Sequence, residues 1–230
     1  MTIGFRIFQR ERKVASDLVT RARTIPVANV SDVMSRLTAG GPTLRPLHAG
    51  GAMAGAAFTV KTRPGDNLMI HKALVMMEPG DVLVVDGGGD LTNSLVGELM
   101  LSHAIAVGSA GVVINGSVRD YAWIRKGDFP VFAAGVTHRG PYKDGPGEIN
   151  VPLAFDGMVI HPGDLILGDD DGLLCVPIDE VEDILARAEE KNAAEIKILE
   201  NTEAGRLDPK VWVEEALVRL KCEIMPGTKA

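Results

Sequence analysis

Apolar residues along this chain follow two rhythms. Short runs rich in valine, isoleucine and leucine read as strands: AAFTVKT (56–62), DVLVVDG (81–87), GVVINGS (111–117), FPVFAAG (129–135), LAFDGMVIH (153–161), DLILGD (164–169) and GLLCVPI (172–178). They are too apolar for a sheet with one wet face, so most are expected to be covered on both sides. Between them, apolar positions three and four apart predict helices in SDVMSRLT (31–38), DNLMIHKALVMM (66–77), GELMLSHAIAVG (97–108), SVRDYAWIRKG (117–127) and the long stretch from Asp179 to Asn201. The alternation predicts an α/β fold with mixed sheets flanked by helices. Strands 82–86 and 111–115, each followed by a helix, are expected to lie parallel and adjacent, so that both helix N-termini open at the same sheet edge.

A weak internal echo relates PGDVLVVDGGGD (79–90) to PGDLILGDDDG (162–172): a Pro-Gly turn, an aspartate, four mostly apolar residues and an acidic, glycine-containing turn. Proline followed by glycine suits a type II turn feeding a strand. From about Glu203 the chain turns polar, with one short amphipathic segment that suits packing on a neighbour better than chemistry.

At 230 residues and 46% hydrophobic, the chain is long enough to bury a full core in one domain. A net charge of -7, with no dense Lys/Arg cluster, repels phosphate backbones and argues against direct nucleic-acid binding. No apolar run has signal-peptide or membrane-spanning length, so the expected location is the cytoplasm, with no membrane partner. Cys175 and Cys222 lack metal or redox spacing and are read as free thiols.

The glycine run VVDGGGD (84–90) follows a strand as a dinucleotide-binding turn would, but Thr92 stands where the third glycine belongs, and no Walker A loop is present. The contiguous acids of GDDDG (168–172) do not alternate as calcium ligands do and read as a turn between strands. The five histidines show no HExxH pattern, and His103, inside a helical pattern, is read as a packed core residue. The pair Arg119-Asp120 has two readings. In one, Ser117 is a helix N-cap and Asp120 completes an S-x-x-D capping box. In the other, Glu98, in the first turn of the preceding helix, faces Asp120 across a crevice flanked by Arg119. A third acid, Glu195, falls within the apolar stripe Val181, Ile184, Leu185, Ala188, Ile196 and Leu199, where a carboxylate needs a partner; it either pairs with Lys191 or Lys197 at the stripe's edge or serves a site.

Taken in order, GELM (97–100), GVVINGSVRD (111–120), FPVFAAG, INVPLAFDGMVIHPGD (149–164) and DDDGLLCVP (169–177) resemble the family that includes 4-hydroxy-4-methyl-2-oxoglutarate aldolase and the regulator of ribonuclease activity A. The resemblance covers roughly residues 25–200. It implies a single domain of the swivelling β/β/α type, preceded by an extension (1–24) and followed by a tail (201–230) suited to a subunit contact, assembled as a homotrimer or a dimer of trimers. It also implies a Mg²⁺- or Mn²⁺-dependent lyase that cleaves a small 4-hydroxy-2-oxo acid to pyruvate, with oxaloacetate decarboxylation at the same site. By the same resemblance Asp120 ligates the metal, and Glu98 and a neighbouring subunit's Glu195 hold metal-bound water. Arg119 assists the reacting oxygens, and Gly97 with the amides of Leu99, Met100 and Leu101 receives the substrate carboxylate. No motif lysine stands as a Schiff-base candidate, in keeping with metal rather than imine chemistry. Other members inhibit an RNA-degrading endonuclease without catalysis, which is the competing reading. The loop THRGPYKDGPGEINVP (137–152) is open between shaping specificity and contacting a subunit.

Overall fold

In the computed structural model, which describes residues 3–37, 40–225 and 227, strands and helices alternate along the chain. In order they are β1 (Phe5–Ile7), α1 (Ser16–Ala22), α2 (Val27–Val33), β2 (Arg45–Pro46), β3 (Met53–Thr62), α3 (Leu68–Met76), β4 (Asp81–Asp86), β5 (Ser94–Val96), α4 (Glu98–Ala106), β6 (Gly111–Val118), α5 (Tyr121–Ile124), β7 (Val131–Val136), β8 (Gly147–Ile149), β9 (Leu153–Phe155), β10 (Met158–Ile160), β11 (Leu165–Asp169), β12 (Gly172–Val176), α6 (Val181–Glu203) and α7 (Val211–Arg219). Two compact units divide the chain, Met1–Glu190 and Lys191–Ala230. The first holds every strand.

Ten strands form one mixed sheet whose main path runs β1-β8-β3-β4-β6-β7-β2. Its centre, β3-β4-β6-β7, is parallel, with Val84 opposite Thr59 on one side and Val113 on the other. The expected parallel pairing of 82–86 with 111–115 is therefore present, from Val82↔Gly111 to Asp86↔Asn115. On its other edge β3 is shared, its first half pairing with β11 and its second with β8, both antiparallel.

Side chains alternate strictly across this centre, as the two-residue strand period requires. Leu83, Val85, Val112 and Ile114 pack with Ile70, Leu74, Leu101, Ala104 and Ile124 on α3, α4 and α5. Val82, Val84, Val113 and Phe132 face the other way, onto Leu153, Phe155, Met158 and Ile160 of the β9-β10 hairpin. Both faces are dry, and each buried aliphatic side chain contributes on the order of 2 kcal/mol. A third cluster joins α1, α2 and the first turns of α6 to β11 and β12. LAFDGMVIH is thus a hairpin rather than one strand, its Asp156-Gly157 turn at φ 50 and 84 being the primed type that Asp-Gly favours.

The sequence echo is a structural one. Gly80 and Gly163 sit at φ 85 and 92, and in each turn the aspartate that follows accepts the backbone N–H three residues earlier: Glu78 N–H to Asp81 (2.9 Å) and His161 N–H to Asp164 (2.8 Å). The two turns feed β4 and β11, the strands on either side of β3. Among the described residues no helix is long and apolar enough to cross a membrane.

Two helix expectations need correction. The helix expected at 31–38 is α2, which starts earlier because Pro26 supplies its N-cap; it ends at Val33, and Ser35 and Arg36 turn to φ 60 and 61. Thr38 lies outside the described residues. The helix expected at 117–127 shrinks to α5, because Ser117 and Val118 remain in β6.

In the second unit, Glu195 is salt-bridged to Lys191 at 2.7 Å, and Ile196 and Leu199 are exposed. The expected stripe is buried only through Val181, Ile184, Leu185 and Ala188.

Candidate active site

Three-residue β5 brings the site together. It pairs in parallel with the end of β6, Ser94↔Ser117 and Val96↔Val118, and the Arg119 N–H donates to the Val96 carbonyl at 2.9 Å. The chain then leaves β5 through Gly97 into α4 and leaves β6 through Arg119 into α5. The N-terminus of α4 therefore lies beside the Arg119-Asp120 pair, at the carboxyl edge of the parallel strands, where open α/β sheets bind ligands.

The capping-box reading of Asp120 fails here. Ser117 is buried in β6, its hydroxyl without a hydrogen-bond partner among the described residues, and Asp120 makes no side-chain bond to the four-residue α5. Instead Asp120 Oδ2 accepts the Glu98 N–H at 2.9 Å, capping α4 across the crevice, with Arg119 Nε 3.8 Å away. Asp120 holds this position with a left-handed backbone, φ 59 and ψ 36.

Gly97 is required by space rather than by torsion, since its φ of -146 is open to any residue. A Cβ there would stand 2.4 Å from Asp120 Oδ2 and 2.8 Å from Arg119 Cγ. The amides of Met100 and Leu101 donate to the Gly97 carbonyl at 3.0 Å each. Leu99 N–H, in the first turn, has no intrahelical acceptor and is the amide of the three open to an anion.

Gly97, Leu99, Met100 and Arg119 wall a cavity of about 300 Å³, together with Asn67, His71 and Lys143. The last three were not read from the sequence. Asn67 and His71 come from the start of α3, which follows β3; the rule that ligands meet the carboxyl ends of parallel strands was the signal that could have found them. Burial, together with Lys143 and His103, pushes the His71 imidazole below its usual range, so it is neutral near pH 7. Arg119 and Lys143 thus give the cavity its positive charge. His103 itself is exposed, because α4 buries Leu101 and Ala104 instead, which corrects its reading as a core residue.

Among the described residues, no three His, Cys, Asp or Glu side chains converge as a ready-made metal cluster. What the edge offers is the half-exposed carboxylate of Asp120, whose Oδ1 bonds to none of the described residues, with Glu98 adjacent. One direct carboxylate with a second acid nearby is a donor set that suits a hard ion keeping most of its waters. Of the acids of GDDDG, Asp169 does turn work, its Oδ1 accepting the Asp171 N–H at 3.0 Å, while its Oδ2 accepts the Val27 N–H at the start of α2 at 2.9 Å.

Against known proteins, residues 27–175 match the RraA-like family, described as aldolase/RraA. A Halalkalibacterium halodurans protein provisionally named 4-hydroxy-4-methyl-2-oxoglutarate aldolase is 40% identical over 177 residues, 77% of this chain and 84% of its own. The 4-hydroxy-4-methyl-2-oxoglutarate aldolase of Thermus thermophilus is 40% identical over 112 residues, 49% of this chain and 68% of its own. Among solved structures, Streptomyces coelicolor RraAS2, described as an unusual member of the RNase ES inhibitor RraA family, superposes with a TM-score of 0.73 at 26% identity, covering 80% of this chain and 96% of that one.

Proposed function

The chain belongs to the RraA-like family, and from that premise we propose that it is a divalent-metal-dependent lyase, cleaving a 4-hydroxy-2-oxo acid to pyruvate and a second carbonyl compound and decarboxylating oxaloacetate at the same site. The observation that carries this reading is the Glu98 backbone N–H donating to the Asp120 carboxylate, which holds Asp120 at the start of α4 beside a residue, Arg119, that lines a cavity. A non-catalytic regulator has no need of a carboxylate and an arginine held together at the carboxyl edge of the parallel strands.

Asp120 would hold Mg²⁺ or Mn²⁺ directly, with Glu98 and a neighbouring subunit's Glu195 holding its water. The ion, when bound, supplies Lewis-acid stabilisation of the charge that develops on the 2-oxo oxygen. The chain's own groups do the rest. Leu99 N–H, at the positive end of α4, receives the substrate carboxylate. The Arg119 guanidinium donates to the oxygen that becomes enolate as the C3–C4 bond breaks, an interaction that strengthens as charge builds. The 4-hydroxyl proton leaves as the second carbonyl forms, and a proton returns to C3 to complete pyruvate.

The competing reading, a protein-binding regulator of an RNA-degrading endonuclease, is favoured by the likeness to RraAS2. A lactate dehydrogenase-coupled assay separates the two. Pyruvate is expected from 4-hydroxy-4-methyl-2-oxoglutarate or oxaloacetate with Mg²⁺ or Mn²⁺, abolished by EDTA and restored by excess metal; absence of turnover on either substrate would favour the regulator.

A further inference from the structure

Ahead of α1, outside the residues 27–175 that match the family, a short arch of chain carries three cations, Arg10, Arg12 and Lys13. The arch, residues 9–13, is held at both ends. On one side Phe8 N–H donates to the Ile149 carbonyl at 3.1 Å, and Asn150 Nδ2 donates to the Phe8 carbonyl at 2.9 Å. On the other, Val14 N–H donates to the Gly163 carbonyl at 2.9 Å. The fit there leaves no room for a Cβ on Gly163, which would meet the Arg12 carbonyl. The arch borders a second cavity, of about 280 Å³, whose other walls are Phe58, Met76, Glu78 and Asn150.

Arg10 is the fixed point of this cavity. Its guanidinium is almost fully buried, lies over the Phe58 ring 5.6 Å from the centre, and donates through Nη1 to the buried Asp81 at 2.7 Å. Asp81 needs that cation, because a buried carboxylate without a partner is costly. Nη2 is less committed, reaching Glu78 Oε2 at 3.4 Å. Lys13 Nζ donates to the same oxygen. The two cations, Lys13 foremost, hold the Glu78 carboxyl below the usual carboxylate range. Glu78 is nevertheless exposed, and its backbone is fixed independently, its N–H donating to Asp81 Oδ2 at 2.9 Å. The side chain can therefore swing out without disturbing the turn. A carboxylate held by two cations on a cavity wall occupies a place where another anion can sit.

We propose that this cavity is a second ligand site, for a small phosphate monoester, in which the Glu78 side chain is the resident occupant that the phosphate displaces. Lys13 and Arg10 Nη2 then pass from Glu78 to the phosphate, whose second negative charge attracts them more strongly than one carboxylate does. Arg12 stands on the same rim but is engaged by Asp179, and Glu11 opposes an anion from the arch itself, so binding is weak and salt-dependent. The cavity is larger than a bare phosphate fills, which leaves room for an organic group beside Met76 and Asn150. The site uses none of the sheet-edge residues and does not depend on the lyase reading.

Calorimetric titration in EDTA with glycerol 3-phosphate and with inorganic phosphate tests this. Glycerol 3-phosphate is expected to bind with a Kd of about 1 mM. Glu78→Gln should tighten it about fivefold by removing the competing charge, and Lys13→Ala, which leaves the Arg10–Asp81 pair intact, should weaken it about fivefold, as one exposed ion pair allows. Both substitutions fall on exposed side chains, and circular dichroism checks that the variants are folded. Arg119→Ala, at the sheet edge, should leave the affinity unchanged. Inorganic phosphate binding as tightly as glycerol 3-phosphate, with the same response to the variants, would keep the phosphate site and assign it to the free ion. Weaker binding in Glu78→Gln would make Glu78 part of the site rather than its occupant and overturn the proposal. Binding unmoved by Lys13→Ala, binding lost in Arg119→Ala, or no binding of either probe by Glu78→Gln would each overturn it as well.

Discussion

With φ 59 and ψ 36, Asp120 sits where a Cβ crowds its own backbone, a conformation that aspartate and asparagine bear better than other residues with side chains. Two demands therefore meet at this residue, one on its backbone and one on its charge, and substitution can separate them. Asp120→Asn meets the backbone demand while removing the charge; it is expected to lose about a hundredfold or more in metal-dependent turnover with the melting temperature changed by less than about 2 °C. Asp120→Ala adds a strain of roughly 1 kcal/mol and should melt about 2–4 °C lower as well. Turnover by the kinetic assay and melting by circular dichroism check the pair, and an active Asp120→Asn enzyme would remove the residue from the metal. That Arg119-Asp120 stands at the end of β6 beside the start of α4 was legible in the sequence; the torsion was not, because S-x-x-D spells a capping box equally well. What defeats the box is β6 continuing through Val118 to pair with β5.

At the scale of elements, the site depends on how closely β5 and α4 approach the end of β6. Gly97→Ala tests that closeness: the added methyl group overlaps Asp120 Oδ2 and Arg119 Cγ, so both must move while the extended backbone stays unstrained. A large fall in kcat with retained cooperative unfolding is expected, since a shift of about 1 Å at a reacting centre costs on the order of a hundredfold. The long apolar runs β3, β4 and β6 and the glutamate opening α4 were legible because burial on two faces writes continuous apolar stretches. β5 was not, being three residues long and defined by its neighbour. Lys143 stayed hidden for a related reason: it reaches the cavity from a loop whose neighbouring amides, those of Asp144 and Gly145, bond to Asp66 on another element.

For the whole molecule, the bearing of the second unit on catalysis turns on Glu195. Its partner at 2.7 Å, Lys191, is four residues back along the same helix, a pairing of modest worth that another cation or a metal's hydration shell can replace. Ile196, Leu199, Trp212 and Val218 of the same unit are exposed, more apolar surface than a lone helical tail needs. If a neighbouring copy supplies Glu195, as we propose, Glu195→Ala and Asp120→Asn proteins should each be inactive and should regain part of the native activity when unfolded together and refolded as a mixture. A fully active Glu195→Ala enzyme would remove this acid from the reaction.

The left-handed turn at Asp120 also bears on how one scaffold comes to serve two trades. Asparagine and glycine, the residues best suited to that torsion besides aspartate, are each one nucleotide away from an aspartate codon. If Asp120 holds the ion, as we propose, a lineage could give up the ion in one step while keeping the fold, and that body would then be free to be kept for what its surface binds. On that reading, aldolases and ribonuclease inhibitors sharing this architecture would need no rebuilding to part, only the loss of a single carboxylate.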